Sequence, residues 1–209
     1  MPVTDRALPP LVAVVDDDEG VREALRGLFE SVELAVEAFG SVRDYMASEC
    51  RSRASCLVLD IRLPGQSGLE FQDALIRASE FTPIVIVSAH VDVAMAVRAM
   101  KNGAVDVLTK PVREQDLLEA INRALARKEQ QRDDGGKLAE LSARYATLTD
   151  RERQIMTLVV SGKLNKQIAA EIDVVEATVK LHRGHMMQKM KASSIVELVR
   201  MADALRNVG

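Results

Sequence analysis

The chain has 209 residues, of which 47% are hydrophobic and 28% charged, with a net charge of -3. That length suits two small domains, each able to bury its own core, and the composition excludes a disordered or collagen-like chain. No stretch approaches the roughly 18 apolar residues of a membrane helix, and no membrane association is expected. Met1 to Pro10 has no apolar signal-peptide core, so the cytoplasm is the expected location. The charge is uneven. Residues 1–126 carry 13 Lys/Arg against 20 Asp/Glu, whereas residues 147–209 carry 10 against 7. The mildly basic C-terminal part suits a polyanion partner. Trp is absent and aromatic content is 3%, so Leu, Val, Ile, Ala and Met must fill the cores. The two cysteines, Cys50 and Cys56, match no common zinc or redox spacing and read as free thiols.

Five short apolar runs occupy the first half: Leu11–Val15, Leu34–Ala38, Cys56–Asp60, Pro83–Val87 and Val105–Leu108. Amphipathic stretches lie between them. Val21, Leu25, Leu28 and Phe29 recur at helical spacing, as do Leu69, Leu75 and Ile76. Val93, Val97 and Met100 follow, then Leu117, Leu118, Ile121 and Leu125. Repeated strand–helix alternation predicts an α/β domain with a parallel sheet covered on both faces. The expected strand order is the doubly wound 2-1-3-4-5.

The last of these helices is expected to stop at Asp133-Asp134-Gly135-Gly136, a hinge signal, with Lys137–Arg144 forming a further short helix. The expected boundaries are 1–126 for the first domain, 127–146 for a partly helical linker and 147–209 for the second domain. From Thr149 the pattern is all helical. Thr149 and Glu152 form a capping box, and Gly162 ends the helix that they open. Further helices are predicted over Asn165–Ile172 and Glu176–Met190, separated by three residues. A second capping box at Ser194 and Glu197 opens a fourth. Four short helices with a tight turn between the second and third indicate a helix-turn-helix.

Asp16, Asp17 and Asp18 follow the first strand, Asp60 ends the third, Ser88 follows the fourth and Lys110 the fifth. In an open parallel sheet these carboxyl ends gather along one edge, where ligands bind. Taken singly, each residue has an ordinary structural explanation, and Asp18 reads as a helix cap. Their convergence reverses that judgement. Crowded carboxylates call for a divalent cation, and hard oxygen donors suit Mg2+. A carboxylate beside such an ion can attack a phosphoryl group and form an acyl phosphate. Lys110 supplies a point charge and Ser88 a hydrogen bond to that phosphate.

Val14-Val15-Asp16-Asp17, Leu57–Asp60, Leu63–Gly68, Ser88-Ala89 and Lys110-Pro111 resemble the receiver signature of two-component response regulators. The intervals also agree, with 28 residues from Asp60 to Ser88 and 50 from Asp60 to Lys110. The resemblance covers about Leu11 to Leu125. It implies that Asp60 is the phosphoacceptor, that Asp17 binds Mg2+ directly and Asp16 through water, and that the Arg62 backbone carbonyl is a further ligand. Val107 stands three residues before the lysine, where the family carries Tyr or Phe. Rotation of an aromatic ring there is not available to this chain, and the Ser88 half of the switch is left.

Asn165–Ala169 and Thr178–His182, with Leu148–Glu152 and Gln188–Lys191, resemble the LuxR-type helix-turn-helix. The whole arrangement is similar to the FixJ/NarL family and, within it, to the FixJ type. Periodicity puts Val179, His182, Met186 and Met190 on the inner face of the third helix, with the methionines as core filler. Lys180, Leu181, Arg183 and Gly184 then point outward toward a major groove. Lys180 is placed to read guanine and Leu181 to touch a thymine methyl. Asn165, Lys166, Thr178 and Arg183 are placed for phosphates. His182 fits either a half-buried structural role or a phosphate contact, while His185 and His90 read as structural. Val175 takes an N-cap position where Ser or Thr is preferred, and Gly184 offers no side chain.

The resemblance implies a phosphoprotein transcription regulator, with a sensor histidine kinase, double-stranded DNA and RNA polymerase as partners and a homodimer on phosphorylation. It implies no enzyme beyond the receiver's own phosphoryl transfer and dephosphorylation. Two other readings stay open at this point. Val107 allows a DNA-binding regulator that ignores phosphorylation. Asp16-x-Asp18 also mimics the nucleophile pattern of Mg2+-dependent haloacid dehalogenase phosphatases, although that reading leaves Asp60 without a role and lacks a last acidic motif.

Overall fold

Alternation along each buried strand sends its side chains to opposite faces of one sheet. In the computed structural model, which describes residues 9–78 and 80–206, the strands are β1 (Leu11–Val15), β2 (Ala35–Phe39), β3 (Cys56–Leu59), β4 (Ile84–Ser88) and β5 (Asp106–Thr109). All pair in parallel in the order β2-β1-β3-β4-β5, the doubly wound order expected. Ala13, Val15, Leu57, Leu59 and Ile86 face one core, with α4 (Gly68–Arg77) and α5 (Val93–Lys101) supplying Leu69, Phe71, Leu75 and Ala99. Val12, Val14, Cys56, Val58, Val85 and Val87 face the other. There α1 (Glu19–Ser31) adds Leu25 and Phe29, and α6 (Glu114–Ala146) adds Leu117, Ala120, Ile121 and Ala124.

The helix starts follow from local capping. Asp18 accepts the Val21 N–H at 3.1 Å, the cap expected for α1. Asp92 accepts the Met95 N–H at 2.7 Å at the start of α5. Between β2 and β3 the chain makes two short helices, α2 (Val42–Ala47) and α3 (Cys50–Arg53). At six and four residues they are too short to display a helical hydrophobic period.

Strand limits shift by about one residue from the sequence expectation, for local reasons. The Leu34 N–H donates to the Phe29 carbonyl at 3.0 Å and Glu33 has φ 61°, so Leu34 belongs to the turn that closes α1, not to β2. Pro83 has no N–H to give a ladder, and β4 begins after it.

The expected helix stop at Asp133–Gly136 is corrected. Helix α6 runs unbroken over 33 residues, and Lys137–Arg144 is part of it rather than a separate helix. Two glycines cost about 1 kcal/mol each relative to Ala in a helix interior. The Glu, Gln, Lys, Arg, Ala and Leu around them favour helix, and an Arg144–Glu140 pair adds support at i,i+4 spacing.

The chain divides into two compact units, Met1–Gln131 and Arg132–Gly209. The second contains α7 (Asp150–Val160), α8 (Asn165–Glu171), α9 (Glu176–Met190) and α10 (Ile195–Arg206). Its core holds Leu148, Ile155, Val159, Ile168, Val179, Met186, Met190 and Leu198. The Thr149 box is formed: Glu152 Oε2 accepts the Thr149 N–H at 2.8 Å, and Thr149 Oγ1 accepts the Glu152 N–H at 3.3 Å. The Ser194 box is only half formed. Ser194 Oγ accepts the Glu197 N–H at 3.2 Å, but the Glu197 carboxylate accepts the Ser193 N–H instead. No helix among the described residues is long and apolar enough to cross a membrane. Met1–Leu8, which hold most of the segment read for a signal peptide, lie outside the described residues, as do the outer ends of both expected domains.

Candidate functional site

The ends of β1, β3, β4 and β5 meet at one edge because the strands are parallel and in register. The Asp60 N–H donates to the Val15 carbonyl at 3.0 Å, and the Lys110 N–H to the Ser88 carbonyl at 3.0 Å. These links fix the backbones from which Asp16, Asp17, Asp60, Ser88 and Lys110 project. Asp16 and Asp60 are 2% and 6% exposed, Ser88 is buried, and Asp17 is open to solvent.

The Lys110 ammonium lies between the two buried carboxylates. Its Nζ donates to Asp16 Oδ2 at 2.6 Å and to Asp60 Oδ2 at 2.7 Å. Asp60 Oδ1 accepts from Ser88 Oγ at 2.6 Å and from the Arg62 N–H at 3.0 Å. Burial pushes the Asp60 carboxyl up, but Lys110, Ser88 and the Arg62 N–H outweigh it, and the carboxyl is held below its ordinary value. Asp16 is raised, because burial outweighs Lys110 and the Asp18 N–H. Lys110 is raised because its two carboxylate partners overcome burial.

Asp16, Asp17 and Asp60 each offer an oxygen within 4.8 Å of the others. This donor set consists of oxygen alone and opens to water at Asp17. It fits a hard divalent cation that keeps part of its hydration shell. Asp17 and Arg62 line an open recess with Pro64, Gly65, Gln66 and Ser67. Val107 is half-buried in β5 and packs against the core that holds α4 and α5.

Two contributors to this edge were not singled out from the sequence. Arg22, one turn into α1, donates to the Asp16 carbonyl at 2.8 Å and holds the acidic turn. A Cβ on Gly68 would lie 2.1 Å from the Asp60 carbonyl oxygen, so only glycine fits there. A lone Arg on an amphipathic helix carries no signal of its target. Gly68 stood within the receiver signature, but a backbone approach of this kind has no spacing rule.

In the second unit α8 and α9 form the paired helices of the helix-turn-helix. Val179, Met186 and Met190 are buried on α9, and His182 is half-buried beside them. Lys180 and Leu181 are exposed, and Lys166 is exposed in the first turn of α8. Asn165, Thr178 and Arg183 are half-buried. Arg183 donates to Asn165 Oδ1 at 2.7 Å, so two residues expected at phosphates are bonded to each other. Lys180 pairs with Glu176 at 3.1 Å. Val175 is the N-cap of α9 and makes no side-chain cap bond, and a Cβ on Gly184 would meet open space.

Residues 12–122 match the family described as response regulator receiver domain, and residues 146–202 match the one described as bacterial regulatory proteins, luxR family. Nodulation protein W of Bradyrhizobium diazoefficiens is 46% identical over 202 residues, covering 97% of this chain and 89% of that protein. The transcriptional regulatory protein FixJ of Rhizobium meliloti is 40% identical over 194 residues, covering 91% of this chain and 94% of that one. A solved structure of the response regulator StyR superposes with a TM-score of 0.79 at 42% identity, covering 93% of this chain and 98% of that one. Fold and acidic edge therefore define a response regulator, with a receiver domain and a DNA-binding domain on one chain. The chain belongs to the LuxR/FixJ family of response regulators. It is a transcription regulator of a family whose standard mechanism is phosphorylation-driven, and not a classical enzyme, so the phosphatase alternative is set aside. Membership implies a histidine kinase and DNA as partners.

Proposed function

We propose that Asp60 is the phosphoacceptor of this chain. The supporting observation is that Asp60 is buried at the end of the central strand and ionised between the Lys110 ammonium and the Ser88 hydroxyl. An Asp60 oxygen attacks the phosphorus of the kinase phosphohistidine. The P–N bond breaks as the acyl phosphate O–P bond forms, and the imidazole leaves with the electron pair. Asp17, Asp60, the Arg62 carbonyl and, through water, Asp16 would hold Mg2+, and the ion would supply charge neutralisation for the phosphoryl group. Lys110 moves from carboxylate to phosphate, and Ser88 turns its hydroxyl onto a phosphate oxygen. The same groups support slow self-dephosphorylation by water.

The Ser88 movement carries the signal in place of an aromatic ring at Val107. It shifts α5 and β5, and the protein dimerises and binds DNA through α8 and α9. Lys180 and Leu181 read bases, while Asn165, Lys166, Thr178, His182 and Arg183 hold phosphates. The working division is a receiver over 1–126, a linker over 127–146 and the LuxR-type domain over 147–209. Recruitment of RNA polymerase by the bound dimer, in the cytoplasm, completes the reading.

The test is incubation of the full chain with Mg2+ and a small phosphoryl donor, followed by intact-mass measurement. The wild type gains one phosphoryl group and Asp60→Asn gains none. Unchanged labelling of Asp60→Asn removes the assignment.

A further inference from the structure

We propose that Glu176 is a specificity-determining residue whose carboxylate selects cytosine in the major groove, beside Lys180. The inference rests on the placement of α9 in that groove. Glu176 stands in the first turn of α9 and is exposed, and its Oε1 lies 3.1 Å from Lys180 Nζ one turn further on. The neighbouring outward positions carry no hydrogen-bonding side chain: Val175 and Leu181 are 68% and 57% exposed, and Ala177 is exposed. Gly184, on the next turn, faces open space. Among the exposed positions from Val175 to Gly184, polar base reading falls to Glu176 and Lys180, with the exposed His185 following on the next turn.

A carboxylate on a DNA-facing surface is repelled by the phosphates of every sequence. It is offset only where it meets a hydrogen-bond donor on a base edge. In the major groove the carboxylate's matching donor is the cytosine N4 amino group. An ammonium has donors alone and suits guanine O6 and N7. The edge of a G·C pair presents guanine acceptors beside the cytosine donor. The Glu176–Lys180 pair presents the complementary charges at i,i+4 spacing, already aligned in the free protein. At a T·A pair the carboxylate would instead face the thymine O4 acceptor, and discrimination follows from repulsion as well as attraction.

An acidic residue in a first helical turn also stabilises the helix through its dipole and the i,i+4 pair. That role alone changes stability and leaves base preference untouched. Selection from a randomised duplex library with the full-length phosphorylated protein separates the two. The wild type enriches a cytosine at one position of each half-site, with about a ten-fold or larger preference over thymine. Glu176→Ala brings that preference to within about two-fold and raises binding to unrelated sequences. Glu176→Gln moves it toward adenine, which an amide reads at N6 and N7. If Lys180→Ala changes the selected sequence while both Glu176 variants select the wild-type one, Glu176 reads no base. If none of the three alters the selection, α9 does not present this face to DNA, and the placement fails with the proposal.

Discussion

Ser88 Oγ, at the end of β4, donates to Asp60 Oδ1 at 2.6 Å across 28 residues of sequence, with both side chains buried. The hydroxyl proton is therefore already aimed at the group that the proposed reaction modifies. In the proposed reaction the same proton would find a phosphate oxygen further out, and Ser88 with the end of β4 would move toward the site.

Ser88→Ala is expected to accept phosphate and to lose most of its phosphate-dependent dimerisation. A hydrogen bond to a charged group is worth about 1.5–3 kcal/mol, which corresponds to a loss of roughly ten-fold or more in dimer affinity. Light scattering with and without a phosphoryl donor measures it. Normal dimerisation of the phosphorylated variant would place the coupling elsewhere, since Val107 offers no ring to carry it.

Gly68→Ala tests how the phosphoacceptor is held. The added Cβ would sit 2.1 Å from the Asp60 carbonyl, a backbone atom that has no free rotation by which to yield. The Gly68 N–H also donates to the Ile61 carbonyl at 2.9 Å, so the two segments are tied at the point of conflict. Overpacking of this kind costs at least about 1–3 kcal/mol. Displacement of Asp60 by about 1 Å is expected to slow phosphorylation by about 100-fold. Urea unfolding and a phosphorylation time course measure the two effects, and wild-type values in both would mean that the loop relaxes freely.

Much of this architecture is legible in the sequence because it rests on periodic burial. The strands β1 and β3 are fully buried, and their apolar runs mark them to within a residue. The acidic edge is legible because topology alone brings strand ends together. What escapes is whatever depends on a single tertiary contact. Leu34 is apolar and suits a strand, yet its N–H closes α1. Gly135 and Gly136 suit a hinge, yet the summed propensity of α6 carries the helix through them. The Arg22 bond to Asp16, the Arg183 bond to Asn165 and the Lys189 bond to Glu152 join residues 6, 18 and 37 apart with no pattern to announce them.

Glu152 provides a pH prediction in the second unit. The side chain is 3% exposed and accepts from Lys189 Nζ at 2.7 Å and from the Thr149 N–H at 2.8 Å. Burial raises its carboxyl, but these partners overcome that and hold it below its ordinary value of 4.5. A depressed value in the folded state means that the ionised form favours folding. The stability it contributes is full above the unfolded value and is lost as pH falls through the lower folded one. Glu152→Gln should cost about 1–3 kcal/mol at pH 7, and the gap to wild type should narrow below about pH 4. Urea titrations of the full chain followed by helical circular dichroism give both quantities. A gap that stays constant into acid would mean that the charge on Glu152 contributes nothing.

Lys166 and Lys180 are expected to fail in different ways when removed. Lys166 is exposed in the first turn of α8. It carries no neighbouring acid at i,i+4, since the residue four further on is Ala170. Its ammonium is therefore suited to a phosphate, which every sequence presents alike. Lys180 lies on the outer face of α9 and is balanced by Glu176 in the absence of DNA. With one donor directed at Glu176, the Lys180 ammonium keeps two donors, which match the two acceptors of a guanine edge. Lys166→Ala should weaken cognate and scrambled duplexes equally and lower the salt slope by about one ion. Lys180→Ala should cost roughly 1–3 kcal/mol on the cognate site and much less on the scrambled one. The measurement is binding of both variants to both duplexes across a salt series. Equal losses on both duplexes for Lys180→Ala would make it a phosphate contact. No loss for either variant would mean that another face of the second unit meets DNA.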